Sequence, residues 1–177
     1  MKNYRRLEPA ALAILAAGYL MLPAARGAVG STDSAEITKL LADTRALAVQ
    51  LKTDSDQMES FTRSKSSWES YAGQLHTIRN HVNNAGQLVT KLKDAESTGS
   101  HWQQMTIKRI EPLLQEMADN LTATINHLNN NRSRIHFPEY VAYVKANYTL
   151  SADLEALVRA SIDSGKDEAE FVRLSAA

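Results

Sequence analysis

The chain has no cysteine, four prolines and seven glycines among 177 residues, and no excess of either charge. Each shortage removes a class of protein. Without cysteine there is no disulfide framework, no covalent c-type haem, no lipid anchor on a cysteine and no thiol catalysis. Twenty basic residues against twenty acidic ones leave no cationic stripe able to follow a phosphate backbone, so nucleic acid is not an expected partner. Scarce glycine and proline, with no run of alternating apolar and polar residues, argue against strands and for helices. A cysteine-free exported chain must hold itself together by its core alone, and about 150 residues suffice for that.

What is present begins with a leader. Lys2, Arg5 and Arg6 form a basic start, followed by the apolar run "AALAILAAGYLML" at 10–22, too short for a comfortable membrane span. Pro23 ends that run, and small residues at Ala25 and Gly27, or Ala28 and Gly30, supply cleavage positions. Residues 1–27 are therefore assigned as a signal peptide, with an uncleaved anchor as the alternative. Glu8 and Arg26 fit least well. Arg5-Arg6 lacks the apolar residues that should follow a twin-arginine pair, which leaves the ordinary secretory route. The leader takes four basic residues and one acidic residue with it, so the processed chain keeps 16 basic and 19 acidic residues, a net charge of −3. The expected location is periplasmic or secreted, and a membrane is a partner only if the leader is retained.

Four amphipathic segments follow. The first is expected to start at the Asp33-x-x-Glu36 capping box and carry Ile37, Leu41, Thr44, Ala48, Leu51, Ser55 and Met58 on one face until "SKSS" at 64–67. The second starts at Ser66-x-x-Glu69 and presents Tyr71, Leu75, Ile78, Val82, Ala85, Val89 and Leu92, a heptad seam with alternating steps of four and three. "ESTGS" at 96–100 ends it. The third starts at Ser100-x-x-Gln103, with Ile107, Ile110, Leu114, Met117, Leu121, Thr124 and Leu128 as its seam and Pro112 inside, which predicts a kink near Lys108 or a restart. "NHLNNNRSR" at 126–134 unwinds it. The fourth starts at Pro138, with Tyr140, Val141, Val144, Tyr148, Ser151, Leu154, Val158 and Ile162 on its face and Gly165 as terminator. The fold class is thus all-α, an up-down-up-down four-helix bundle over 31–165 after the signal peptide, with 166–177 as a mobile tail.

The blocks "ESFTRSKSSWESYAGQLHTIRNHVNNAG", "HWQQMTIKRIEPLLQEMADNLTATINHLNNN" and "FPEYVAYVKANY" resemble a group of exported bacterial proteins with no known function. The resemblance covers most of the processed chain. It implies export and a helical fold, and it brings no activity.

Chemistry finds little foothold. His76 and His81 are five residues apart, about 140° around a helix, so they cannot share a metal from one helix and both read as surface residues. No histidine is preceded three residues earlier by glutamate, which removes the di-iron bundle pattern. There is no G-x-S-x-G motif and no serine–histidine–aspartate arrangement, so the chain is expected not to be an enzyme. One constellation remains. Met58 on the first helix and His127 on the parallel third helix fall near the same end of an up-down bundle, where a b-type haem binds by thioether and imidazole. Met58, His127, Tyr140 and Tyr148 are therefore the candidate lining of a cofactor or small-molecule site. Methionine on a seam is ordinary core filler, however, and His127 sits about 100° from its own seam, so no cofactor is expected. The leading function is a non-catalytic interaction or structural module of the cell envelope, with a protein partner or self-association; a small-molecule or haem-binding bundle is the alternative. The leader reading makes a direct prediction. N-terminal sequencing of the native protein should start between Ala28 and Ser31, and an intact Met1 on soluble cytoplasmic protein would overturn it.

Overall fold

The computed structural model describes residues 32–175, without the side chains of residues 169, 172, 173 and 175. The signal peptide assigned to 1–27 lies outside the described residues. Four helices make up the fold: α1 (Ala35–Ser64), α2 (Trp68–Ala95), α3 (His101–Asn130) and α4 (Pro138–Ser175), with single 3-10 turns at Glu96–Thr98 and Arg132–Arg134. Each helix packs on the next and α4 closes against α1, which is an all-α up-down-up-down bundle. No strand occurs among the described residues.

The seams read from spacing are the core. Every seam residue predicted on α1, α2 and α3 is buried, from Ile37 to Met58, Tyr71 to Leu92 and Ile107 to Leu128. On α4 the seam is shifted by one residue at its centre. It runs Tyr140, Val144, Asn147, Ser151, Leu154 and Val158, steps of four and three throughout, while Val141, Tyr148 and Ile162 are only half-buried.

The helix starts differ from expectation by one residue where a side chain has other work. Ser34, not Asp33, caps α1 by accepting from the Ile37 N–H, because the Asp33 carboxylate accepts from Trp102 Nε1 at 2.7 Å. Ser67 rather than Ser66 precedes α2, and its hydroxyl makes no cap bond. The capping box at Ser100 is formed through its Gln103 arm, Oε1 accepting from the Ser100 N–H at 3.0 Å, whereas Ser100 Oγ has no partner at hydrogen-bonding distance. The link after α1 is short because Lys65 adopts the left-handed conformation at φ 51°, and its N–H bonds back to the Phe61 carbonyl. Pro112 neither splits nor restarts α3, which is continuous through it. Pro112 and Lys108 both lie on the exposed face, where water can serve the carbonyl that proline leaves unbonded.

Gly165 does not terminate α4. The helix continues to Ser175, so the segment expected as a tail is helical as far as it is described. The glycine serves packing instead. A Cβ at Gly165 would come within 2.4 Å of the Trp102 ring, so the missing side chain is what lets the indole lie against α4. This yields a paired prediction. Gly165→Ala should lower stability, because overpacking costs about 1–3 kcal/mol against the roughly 1 kcal/mol that alanine gains over glycine in a helix. Gly73→Ala, with nothing within 4 Å of its would-be Cβ, should gain stability by up to about 1 kcal/mol. Urea melts of both variants check the pair.

Candidate functional site

Four places bring chemistry-bearing residues together. The first is an aromatic stack near the end where α1 passes to α2 and α3 to α4. Phe61 meets Tyr71 edge to face at 5.5 Å, Tyr71 meets Tyr140 at 5.2 Å, and the His127 ring lies 5.5 Å from Tyr140 and 5.7 Å from Tyr143. Tyr71 and Tyr140 are fully buried and touch across the bundle diagonal, α2 to α4. Neither hydroxyl has a hydrogen-bond partner in the protein, and neither does His127 Nε2. Burial pushes the Tyr71 phenol up to about 12 and raises that of Tyr140 as well, with Tyr71 adding to the latter. In the unfolded chain both phenols ionise near pH 10. The pair therefore contributes stability that is present below pH 10 and lost as pH rises towards the folded values.

This stack also locates the residues proposed for a cofactor. His127 and Tyr140 do come together. Met58 is fully buried in the core cluster, while the His127 ring packs beside Tyr140 and Tyr143. Tyr148 is elsewhere, half-buried on the side of α4 that faces α1. Tyr148 thus borders a different place from the His127–Tyr140 stack.

Tyr148 belongs to the second place, a lateral groove of about 450 Å³ between α1 and α4, bordered by Val49, Lys52, Asp56, Glu155 and Arg159. Glu155 is 8% exposed and holds Lys52 Nζ at 3.4 Å and Arg159 Nε at 3.5 Å. The two cations offset the cost of enclosing the carboxylate. The groove can recognise a polar ligand, but it sets no nucleophile beside a base.

The third place overturns a reading made from the sequence. His76 is exposed, with only Asn80 beside it at 3.2 Å. His81 is not an ordinary surface residue. Its Nδ1 lies 2.6 Å from Asp54 Oδ2, and the side chains are 26% and 10% exposed respectively. Asp54 is further fixed by Gln50 Nε2 on Oδ1 at 3.1 Å, while Gln74 Nε2 donates to its backbone carbonyl at 2.9 Å. One helical wheel cannot reveal this pair, because the partner comes from the neighbouring helix. No group of three or more histidine, aspartate or glutamate side chains suited to a metal occurs among the described residues.

The fourth place is at the opposite end. Gln103 is fully buried, and its amide is satisfied on every side: Oε1 accepts from the Ser34 and Ser100 N–H groups, and Nε2 donates to the Ser34 carbonyl and to Thr38 Oγ1. The clasp is structural. Gln103 lies one step of four before Ile107 on the α3 seam, and a polar residue at a seam position was the signal that could have found it.

The histidines give the sharpest check. His81→Ala strands a nearly buried carboxylate and should cost about 1–3 kcal/mol, whereas His76→Ala should stay within about 0.5 kcal/mol of the parent. Equal melts for the two variants would remove Asp54–His81 from the list of stabilising contacts.

No protein-family model matches this chain, and no curated protein or solved structure matches it either.

Proposed function

We propose that the chain is a non-catalytic helical bundle of the cell envelope, exported by its leader, that works as an interaction or structural module through self-association. The observation that carries this reading is the length of α4. It has 38 residues against 28 to 30 in the other three helices, so about 15 Å of helix runs on beyond Gly165, where Trp102 marks the end of the bundle. On that overhang Phe171 is 73% and Leu174 65% exposed, more than any other large apolar residue described. A helical stretch of ten residues is marginal alone in water and gains stability from a neighbour. In the sequence Phe171 and Leu174 are three residues apart, so the two exposed side chains share one face of the overhang. That spacing suits another helix, and the overhang of a second copy has it.

Further support comes from what the convergent side chains can do. They pair charges, cap helices and stack rings, and none forms a nucleophile–base unit. No described helix is long and apolar enough to cross a membrane. The groove beside Tyr148 favours a second reading, a binder of a small polar ligand held by Lys52 and Arg159.

Sedimentation equilibrium on the processed protein should show a concentration-dependent dimer. Phe171→Ser with Leu174→Ser should abolish it while leaving helicity unchanged. A protein that stays monomeric at every concentration, with or without these changes, removes self-association as the function.

A further inference from the structure

Buried hydroxyls inside helices ordinarily donate to their own backbone one turn earlier. Of the five buried serine and threonine hydroxyls inside the described helices, four do so: Thr44 to the Leu40 carbonyl, Thr106 to Trp102, Thr124 to Asn120 and Ser151 to Tyr148, at 2.7–2.8 Å. Ser55, fully buried on α1, does not, and its Oγ has no partner in the protein.

The level of Ser55 in the bundle follows from register. The parallel helices α1 and α3 are aligned by Ser34 and Gln103, 69 residues apart, and the same offset sets Ser55 level with Thr124. Thr124 in turn accepts from Asn147 Nδ2 at 2.9 Å, which brings α4 into the same layer. On α2, Gln74 and His81 both bond to Asp54, so Ile78 is the buried residue at this height. Asn147 also donates to the Tyr143 carbonyl, which uses both its amide hydrogens, and its Oδ1 is left buried without a partner. One layer therefore contains an unused donor and an unused acceptor, on facing helices, in a core that water-exposed surface does not reach.

We infer that this layer holds one buried water molecule, accepting from Ser55 Oγ and donating to Asn147 Oδ1. Thr124 Oγ1, which accepts only from Asn147, has a lone pair for the second water hydrogen. Two to four polar partners are what an internal water requires, and this position offers three. A direct bond between the side chains would satisfy the same two atoms, but they form none. Of the six buried side-chain polar atoms without partners among the described residues, five lie between this layer and the Tyr71–Tyr140 end of the bundle, and the sixth, Ser100 Oγ, lies at the opposite end. This inference does not depend on self-association.

The test reads a sign. If the water is present, Ser55→Ala removes one of its ligands and lowers the folding equilibrium constant about tenfold or more. If Ser55 is simply unpaired, the same change removes a desolvated hydroxyl and stability stays equal or rises, which overturns the inference. Asn147→Leu supplies the second arm. On that background Ser55→Ala should cost much less than in the parent, because both changes empty the same position; undiminished loss overturns the shared site. Should Asn147→Leu fail to fold, the sign for Ser55→Ala alone still decides. A high-resolution crystal structure should show density between the two atoms, and a direct Ser55–Asn147 bond or a dry gap would overturn the assignment.

Discussion

One side chain fixes where the bundle begins. Gln103 joins the first turn of α1 to the first turn of α3, two helices that are diagonal to one another and share no short loop. Four hydrogen bonds converge on one buried amide, and two of them serve the Ser34 and Ser100 N–H groups at helix starts, where no carbonyl of the same helix is in reach. The packing of apolar seams does not by itself choose a longitudinal alignment, since a slide of one heptad sets similar residues opposite one another. The clasp chooses it. Trp102 follows from the same alignment, because its indole can reach Asp33 and lie against Gly165 only if α1, α3 and α4 start and pass at this height.

Further along, the polar layer of Ser55, Thr124 and Asn147 repeats the constraint from inside the core. Shifting α4 by a heptad would separate Asn147 from Thr124 and leave an amide among leucines, which is costly where no water reaches. The Asp54–His81 pair ties α1 to α2 at the same height. The alignment is thus set at one end by the glutamine and at mid-length by polar side chains of all four helices. The aliphatic residues between supply the bulk of the burial.

Much of this was legible in the residues. Steps of four and three named the buried seam of α2 from Tyr71 to Leu92 and that of α3 from Ile107 to Leu128, because a seam that faces a partner must recur at that interval whatever lies between. What was not legible depended on contacts between helices. Asp33 looks like a cap until Trp102 draws its carboxylate away. Gly165 looks like a helix end, whereas its use is the absence of a side chain opposite an indole. His81 looks solvated on its own helix and is paired by Asp54 from the next. On α4 the choice of Tyr148 over Asn147 followed apolarity where strict spacing pointed to the asparagine, and that choice put Tyr148 in the candidate core site although it borders a lateral groove. The polar residues Gln103 and Asn147, which fall on seam positions, were the signal that a hydrophobic reading discards.

The two tryptophans sit at opposite ends of the bundle and in opposite electrostatic company. Trp102 donates its indole N–H to a carboxylate, while the face of Trp68 is covered by the Arg132 guanidinium at 4.2 Å. Each ring is half-buried and held by a residue from a distant part of the chain, Asp33 for one and the turn after α3 for the other. Indole fluorescence responds to nearby charge and to water. With either ring replaced by phenylalanine, the remaining emission therefore reports on a single end, and loosening of the glutamine-clasped end can be timed separately from loosening of the tyrosine end.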